Sequence, residues 1–363
     1  MKKVALYIPS MNGGGAERVM LALANGLTEK DIQVDLVLNR VDGPYIKDAS
    51  PKVNIVNLGT SRVLSSIIPL SKYLRKEKPD AILSAMNYVN IATILAKLIS
   101  RSQIKIIVSE HKNLTEAKKL QGFIKSRVLI SLMKWTYNKA DSIVAVSNGV
   151  ANSLSSELNI EQNKITTIYN PIFSEYLVDR SQESISHSWA NEDALPLILG
   201  VGRLNPQKDF ATLIHAFEKV CEKKHCNLVI LGEGELRADL EQLIENLNLD
   251  DSVQLLGFVD NPYAWMSHAD LFVLSSIYEG FGNVIVEAMA CGTPVVSTDC
   301  LSGPNEILEG GLWGELVPPQ NSDLLAQAII KSLENSTQKD VKNRAKFFSV
   351  INSVNKYYNL ITR

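Results

Sequence analysis

Lys3-Val4-Ala5-Leu6-Tyr7-Ile8-Pro9-Ser10-Met11-Asn12-Gly13-Gly14-Gly15-Ala16-Glu17-Arg18-Val19 passes from an unbroken apolar run through a glycine cluster into a helical pattern. The run is too short for a helix and apolar at successive positions, which predicts a strand buried on both faces. After the glycines, Val19, Leu23 and Leu27 recur every four residues, one face of a helix over 16–28. The same unit repeats down the chain. Gln33–Leu38, Asn54–Leu58, Ala81–Leu83, Lys105–Val108 and Ser142–Val146 read as strands separated by helix-length segments. Such alternation predicts βαβ units on a parallel sheet.

The pattern pauses from Asn170-Pro171 to about Asp193, a polar stretch read as a linker over 176–193. It resumes with strands at Pro196–Val201, Asn227–Leu231, Val253–Leu256, Leu271–Ser275 and Thr293–Ser297. Helices are expected over 210–223, 236–246, 282–290, 304–308 and 322–333. The fold class is therefore α/β: two Rossmann-like doubly wound domains, 1–175 and 194–340, facing each other across a cleft. A tail, 341–363, keeps helical spacing, and its Phe347, Phe348, Tyr357 and Tyr358 are read as packing. In open parallel sheets ligands bind beyond the carboxyl ends of the strands, so the loops there carry function.

The whole chain agrees with this organisation. Its 363 residues suit two domains, and 45% hydrophobic with 21% charged content excludes disordered, collagenous and coiled-coil classes. Cys221, Cys226, Cys291 and Cys300 form no CxxC pair and no disulfide framework. No apolar stretch reaches the ~20 residues of a membrane span, and Val4–Met11 lacks a cleavage pattern, so a cytoplasmic chain is expected. The net charge of -2 hides a division. Through Glu175 there are 23 basic and 14 acidic residues (+9), and beyond it 14 and 25 (-11). Slight overall acidity and the lack of a recognisable module disfavour nucleic acid.

Three constellations carry chemistry. Gly13-Gly14-Gly15 joins strand to helix, where free N–H groups favour an anion, although a plain tight turn reads equally. It lacks the GxGxxG of a dinucleotide site, because position 18 is Arg18, and no GK[ST] follows. Arg203 and Lys208 follow the Pro196–Val201 strand, a fork and a point charge suited to a diphosphate or to solvent. Most specific is Glu279-Gly280-Phe281-Gly282-Asn283-Val284-Ile285-Val286-Glu287. Its glycines expose N–H groups at a helix start, and Glu287, about two turns inside the helix, could hold a ribose. Two carboxylates could also serve a hydrolase, but a phosphate-friendly loop makes that the weaker reading.

Together these motifs resemble GT-B glycosyltransferases of family 4, across nearly the whole chain. The EX7E element is Glu279–Glu287, joined by Arg203 and Lys208, the Gly13–Gly15 loop, Ser109-Glu110-His111, Val146-Ser147-Asn148-Gly149, Gly257-Phe258-Val259 and Gly303-Pro304-Asn305-Glu306. Within the family, the sequence most resembles bacterial enzymes that extend polyprenyl-diphosphate-linked glycans, many of them N-acetylhexosaminyl transferases. The resemblance implies a UDP-sugar donor whose diphosphate meets Arg203, Lys208 and the backbone of Gly280, Phe281, Gly282, Asn283 and Val284. It further implies Glu287 on the ribose, Val259 main chain on the base, Glu279 on the transferred sugar, and Gly14 and Gly15 on the phosphates. His111 would lie near the sugar and acceptor, and the tail helix would cross back onto the first domain. Transfer would retain configuration without a metal, in keeping with the absence of a DxD motif.

The implied acceptor is a polyprenyl-diphosphate-linked saccharide at the cytoplasmic face of an anionic inner membrane. Lys112, Lys118, Lys119, Lys125, Arg127, Lys134 and Lys139 crowd one region with Phe123, Ile124, Leu129, Ile130, Leu132 and Trp135. Yet Lys118 and Lys125 fall on one helical face, while Arg127 and Lys134 fall opposite. Alternatives stay open: a transferase or phosphorylase acting on a soluble sugar, and a non-catalytic nucleotide-sugar-binding scaffold. The missing GxGxxG disfavours a nicotinamide dehydrogenase.

Overall fold

The computed structural model describes residues 2–115, 123–191, 194–334 and 339–363. They form two compact units, residues 1–172 with 350–363, and residues 173–349.

The first unit is built on seven parallel strands: β1 (Lys3–Ile8), β2 (Gln33–Leu38), β3 (Val53–Asn57), β4 (Ala81–Ala85), β5 (Lys105–Glu110), β6 (Ser142–Ala145) and β7 (Ile165–Thr167). Their spatial order is β3-β2-β1-β4-β5-β6-β7. Val4, Leu6, Ile8, Val34, Leu36, Leu83 and Ile107 are wholly buried, so the unbroken apolar runs mark strands covered on both faces. The helix Gly15–Thr28 buries Val19, Leu23 and Leu27, the predicted face. Gly26 on this helix lets the final helix, Val350–Thr362, approach closely: a Cβ there would lie 2.5 Å from Val354.

The second unit holds six parallel strands: β8 (Leu197–Val201), β9 (Asn227–Leu231), β10 (Val253–Gly257), β11 (Leu271–Leu274), β12 (Val295–Thr298) and β13 (Glu315–Val317). They lie in the order β10-β9-β8-β11-β12-β13. Two edge strands, β7 and β13, escape the apolar pattern because each has three residues and is only partly buried.

The unit boundaries fall at different residues from those expected. The stretch read as a linker is structured at its start: Ser174 caps the helix Glu175–Ser181, which belongs to the second unit and packs on the helix Pro262–His268. The tail is not one helix. Val341–Ala345 and a short turn end at Ser349, whose extended backbone precedes Val350–Thr362. The cause is Phe348: it is buried against Phe281 within the second unit, and its carbonyl accepts from Phe173 N. The chain returns to the first unit only after this anchor. All four cysteines are free thiols.

Candidate functional site

In both sheets the strand order reverses once, between β1 and β4 and between β8 and β11; the Gly13–Gly15 loop, Arg203, Lys208 and Glu279 lie at those switch points, whereas His111 follows β5 and Val259 follows β10. In the second unit, the loop after β8 carries Arg203 and Lys208, and the loop after β11 carries Glu279. The Lys208 ammonium lies 2.6 Å from Glu279 Oε1, with both side chains largely shielded from solvent. Ser276 Oγ donates to the same oxygen at 2.7 Å. Glu279 Oε2 has no partner among the described residues.

Hydrogen bonds to the main chain fix this contact. Ser275 Oγ donates to Lys208 O, Ile277 N donates to Gln207 O, and Gln207 Nε2 donates to Tyr278 O. Two loops separated by about 70 residues of sequence are thus tied by one backbone and two side-chain-to-carbonyl hydrogen bonds beside the charged pair.

Gly282, in the left-handed region at φ 94°, caps the helix Asn283–Cys291. The neighbouring Gly303 has φ 90°, and a Cβ there would run into Phe281 O. Glycine is therefore obligatory where the loop after β12 supports the one after β11. Glu287 is buried at 3% exposure. It lies a little over one turn from the helix start, not two, because the helix begins at Asn283.

The two predicted diphosphate cations differ. Lys208 is paired and shielded, whereas Arg203 is 73% exposed with Glu235 3.8 Å away as its loose partner. Val259 is half-buried just beyond β10, next to the exposed Phe258. Sequence reasoning missed Gly232 and Gly234 after β9. Cβ atoms there would strike Gly202 O and Leu204 O, so the Gly-x-Gly spacing was the signal that this loop supports the Arg203 loop.

In the first unit, Gly13 has φ 101° at the turn out of β1. The Glu17 carboxylate folds back over Gly14, so that a Cβ there would run into Glu17 Oε2. The helix start therefore already holds an anion, its own side chain, and burial raises the Glu17 pKa. Arg18 Nη2 donates to Tyr45 Oη at 2.7 Å, and Tyr45 Oη donates to Gly13 O at 3.2 Å, tethering the loop.

His111 follows β5, at the same end of the sheet. Its Nε2 lies 3.1 Å from Ser109 Oγ, which lies 3.2 Å from Tyr357 Oη. Burial lowers the imidazole pKa to about 4. Glu110, also missed as a titratable group, is buried, and this desolvation pushes its carboxyl up to about 7 against the hydrogen bonds of Tyr137 and His111 N. Tyr137 Oη donates to Glu110 Oε2 at 2.9 Å and accepts from Asn90 Nδ2 at 3.0 Å. Among the described residues no group of three or more His, Cys, Asp or Glu side chains could hold a metal ion.

Lys118 and Lys119 lie outside the described residues, as do the side chains of Phe123, Ile124 and Lys125. On the helix Phe123–Tyr137, Val128, Leu132 and Trp135 are exposed at i, i+4 and i+7, while Leu129, Met133 and Tyr137 are buried. Lys139 lies 5.1 Å from the Trp135 ring centroid. Val128, Leu132 and Trp135 thus share one exposed face of this helix. Among the described residues no helix is long and apolar enough to cross a membrane.

Two doubly wound parallel-sheet units, each with a candidate loop at its switch point, make this a GT-B fold. The Anabaena HepE structure in complex with UDP and glucose superposes with a TM-score of 0.79 at 22% identity, covering 100% of both chains. Sucrose-phosphate synthase from Thermosynechococcus elongatus gives 0.82 at 20% identity, over 99% of this chain and 98% of that one. Residues 13–175 match the family model Glycosyltransferase Family 4, and residues 181–347 match Glycosyl transferases group 1. The chain is 32% identical, over 95% of its length and 94% of the relative's, to the Campylobacter jejuni N-acetylgalactosamine-N,N'-diacetylbacillosaminyl-diphospho-undecaprenol 4-alpha-N-acetylgalactosaminyltransferase. The chain belongs to glycosyltransferase family 4 and is a glycosyltransferase.

Proposed function

We propose that this enzyme moves an N-acetylhexosamine, GalNAc or GlcNAc, from a UDP-sugar to a polyprenyl-diphosphate-linked saccharide, with retention of configuration and without a metal ion. The observation that carries the reading is the Lys208–Glu279 pair held by Ser276, with Glu279 Oε2 unpartnered among the described residues. That oxygen is an acceptor for a hydroxyl of the transferred sugar, while Lys208 meets the donor diphosphate. Arg203, exposed and loosely held, closes on the same diphosphate as a planar fork. Backbone groups of Gly280 to Val284 assist it, Glu287 takes the ribose, and main chain at Val259 takes the base. Gly14 and Gly15 offer backbone N–H donors to the phosphates.

As the sugar–phosphate bond breaks, negative charge grows on the leaving diphosphate. Lys208 and Arg203, already positioned, stabilise that charge more than they stabilise the bound donor, which is how they accelerate transfer. The leaving phosphate oxygen takes the proton of the acceptor hydroxyl on the same face of the sugar, so configuration is retained. His111 is neutral at physiological pH and contributes a hydrogen bond beside the reacting sugar, not a charge.

The acceptor reading draws on the relatives. A second Campylobacter jejuni protein, 26% identical over 95% of this chain and 93% of its own length, is named a GalNAc-alpha-(1->4)-GalNAc-alpha-(1->3)-diNAcBac-PP-undecaprenol alpha-1,4-N-acetyl-D-galactosaminyltransferase. The exposed Val128, Leu132 and Trp135 face, with Lys139 beside it, suits an anionic membrane surface from which a lipid diphosphate is presented. A panel of UDP-sugars with a synthetic polyprenyl-diphosphate saccharide, read by mass spectrometry, tests the reading. Transfer only to soluble sugars would sink the acceptor assignment, and no transfer from any UDP-sugar would sink the donor assignment.

A further inference from the structure

Tyr357, on the final helix Val350–Thr362, is 1% exposed, and Ser109, in β5, is wholly buried. Their hydroxyls lie 3.2 Å apart, and Ser109 Oγ lies 3.1 Å from His111 Nε2. Each hydroxyl carries one proton, and a neutral imidazole carries one. If Nε2 holds the ring proton, it donates to Ser109. Then either the Ser109 or the Tyr357 proton is left without an acceptor among the described residues, a cost that buried groups avoid. One arrangement satisfies both fully buried hydroxyl protons: Tyr357 donates to Ser109, Ser109 donates to Nε2, and the proton left over is the Nδ1–H of His111, the least buried of the three residues.

We propose that Tyr357 is a positioning residue for His111: its hydroxyl orders Ser109 as the donor to Nε2 and so holds the imidazole as the Nδ1–H tautomer. Nδ1, which has no partner among the described residues, then becomes the ring's only donor. It presents a hydrogen bond to a substrate oxygen and cannot act as a base. Burial keeps the ring neutral and the Tyr357 phenol protonated, with its pKa raised to about 12. The rest of Tyr357 packs with Val354 and Ile361 in the core, so Tyr357→Phe removes the hydroxyl and keeps the ring. The proposal rests on His111 contacting substrate, and it adds which ring atom does so and what sets it.

Histidine-selective 15N labelling of the full chain reports the tautomer by NMR. The His111 signals are identified, among five histidines, by their loss in His111→Gln. The expected result is Nδ1–H in the unaltered protein and a shift toward Nε2–H in both Tyr357→Phe and Ser109→Ala. Turnover of Tyr357→Phe should fall roughly three- to tenfold, about one net hydrogen bond, with the donor KM unchanged. Nε2–H in the unaltered protein, or an unchanged tautomer in Tyr357→Phe, overturns the proposal. Full turnover by His111→Gln would instead remove the substrate-contact reading and leave the tautomer result standing.

Discussion

Lys208 and Glu279, 71 residues apart, meet at 2.6 Å between the loops after two adjacent strands, and Ser276 Oγ donates to the same carboxylate oxygen. The pair does two jobs. It closes the loops on each other, and it keeps a cation and an acceptor oxygen side by side before any donor arrives.

Lys208→Ala removes the cation and leaves a largely buried carboxylate with Ser276 as its remaining side-chain partner. UDP affinity should fall about tenfold or more, and stability should fall by about 1–3 kcal/mol. Adding Glu279→Ala should return part of the stability and none of the turnover. Calorimetric UDP titration with urea unfolding measures both, and equal UDP affinity in Lys208→Ala would contradict the assignment.

Arg203→Ala should behave differently. Its side chain is 73% exposed, so stability should change by less than about 0.5 kcal/mol. Turnover should still drop if the guanidinium acts, as proposed, on the leaving diphosphate. A large melting shift would mean that Arg203 is structural.

Gly303→Ala places a Cβ against Phe281 O at a backbone angle that L residues rarely adopt. Destabilisation of at least ~2 kcal/mol is expected, with loss of UDP binding, since the Phe281 loop must shift. A urea midpoint unchanged from the parent would show that the loop yields freely.

Glu110 and His111 oppose each other in pH dependence. Glu110 rises from the ordinary 4.5 to about 7 in the folded protein, so folding binds its proton more tightly, and stability falls as pH rises from 4.5 to 7. His111 drops from 6.5 to about 4, so its contribution is lost as pH falls from 6.5 to 4. Each is worth on the order of 3 kcal/mol at most, and across the shared range they largely cancel. His111→Gln should uncover a melting temperature that falls between pH 4.5 and 7. Glu110→Gln should uncover one that rises between pH 4 and 6.5. Slopes of the same sign in the two variants would refute the opposition.

The fold was legible wherever strands are buried on both faces, because runs such as Val4 to Ile8 and Leu228 to Leu231 have no other simple reading. Breaks in the tail were not. Phe347 and Phe348 continue the helical spacing, and only the burial of Phe348 against Phe281 explains the extended Ser349. The site was legible as a set of loops, since glycines and charges mark strand ends. Which charges meet was hidden: Arg203 and Lys208 look equivalent in sequence, yet Lys208 is tightly paired and shielded while Arg203 is exposed with Glu235 as its loose partner. Tyr357 was read as packing, which its ring does, but its hydroxyl reaches Ser109 across 248 residues of chain.

The central claim is that Glu279 Oε2 and Lys208 serve donor sugar and diphosphate for transfer to a lipid-linked glycan. Its most direct test compares the parent and Glu279→Gln, with UDP-GalNAc and UDP-GlcNAc as donors and a polyprenyl-diphosphate saccharide as acceptor, by mass spectrometry. The parent should add one N-acetylhexosamine with the α-configuration of the donor. Glu279→Gln should lose at least about a hundredfold in turnover. Undiminished transfer by Glu279→Gln, or a product of inverted configuration, would contradict the account.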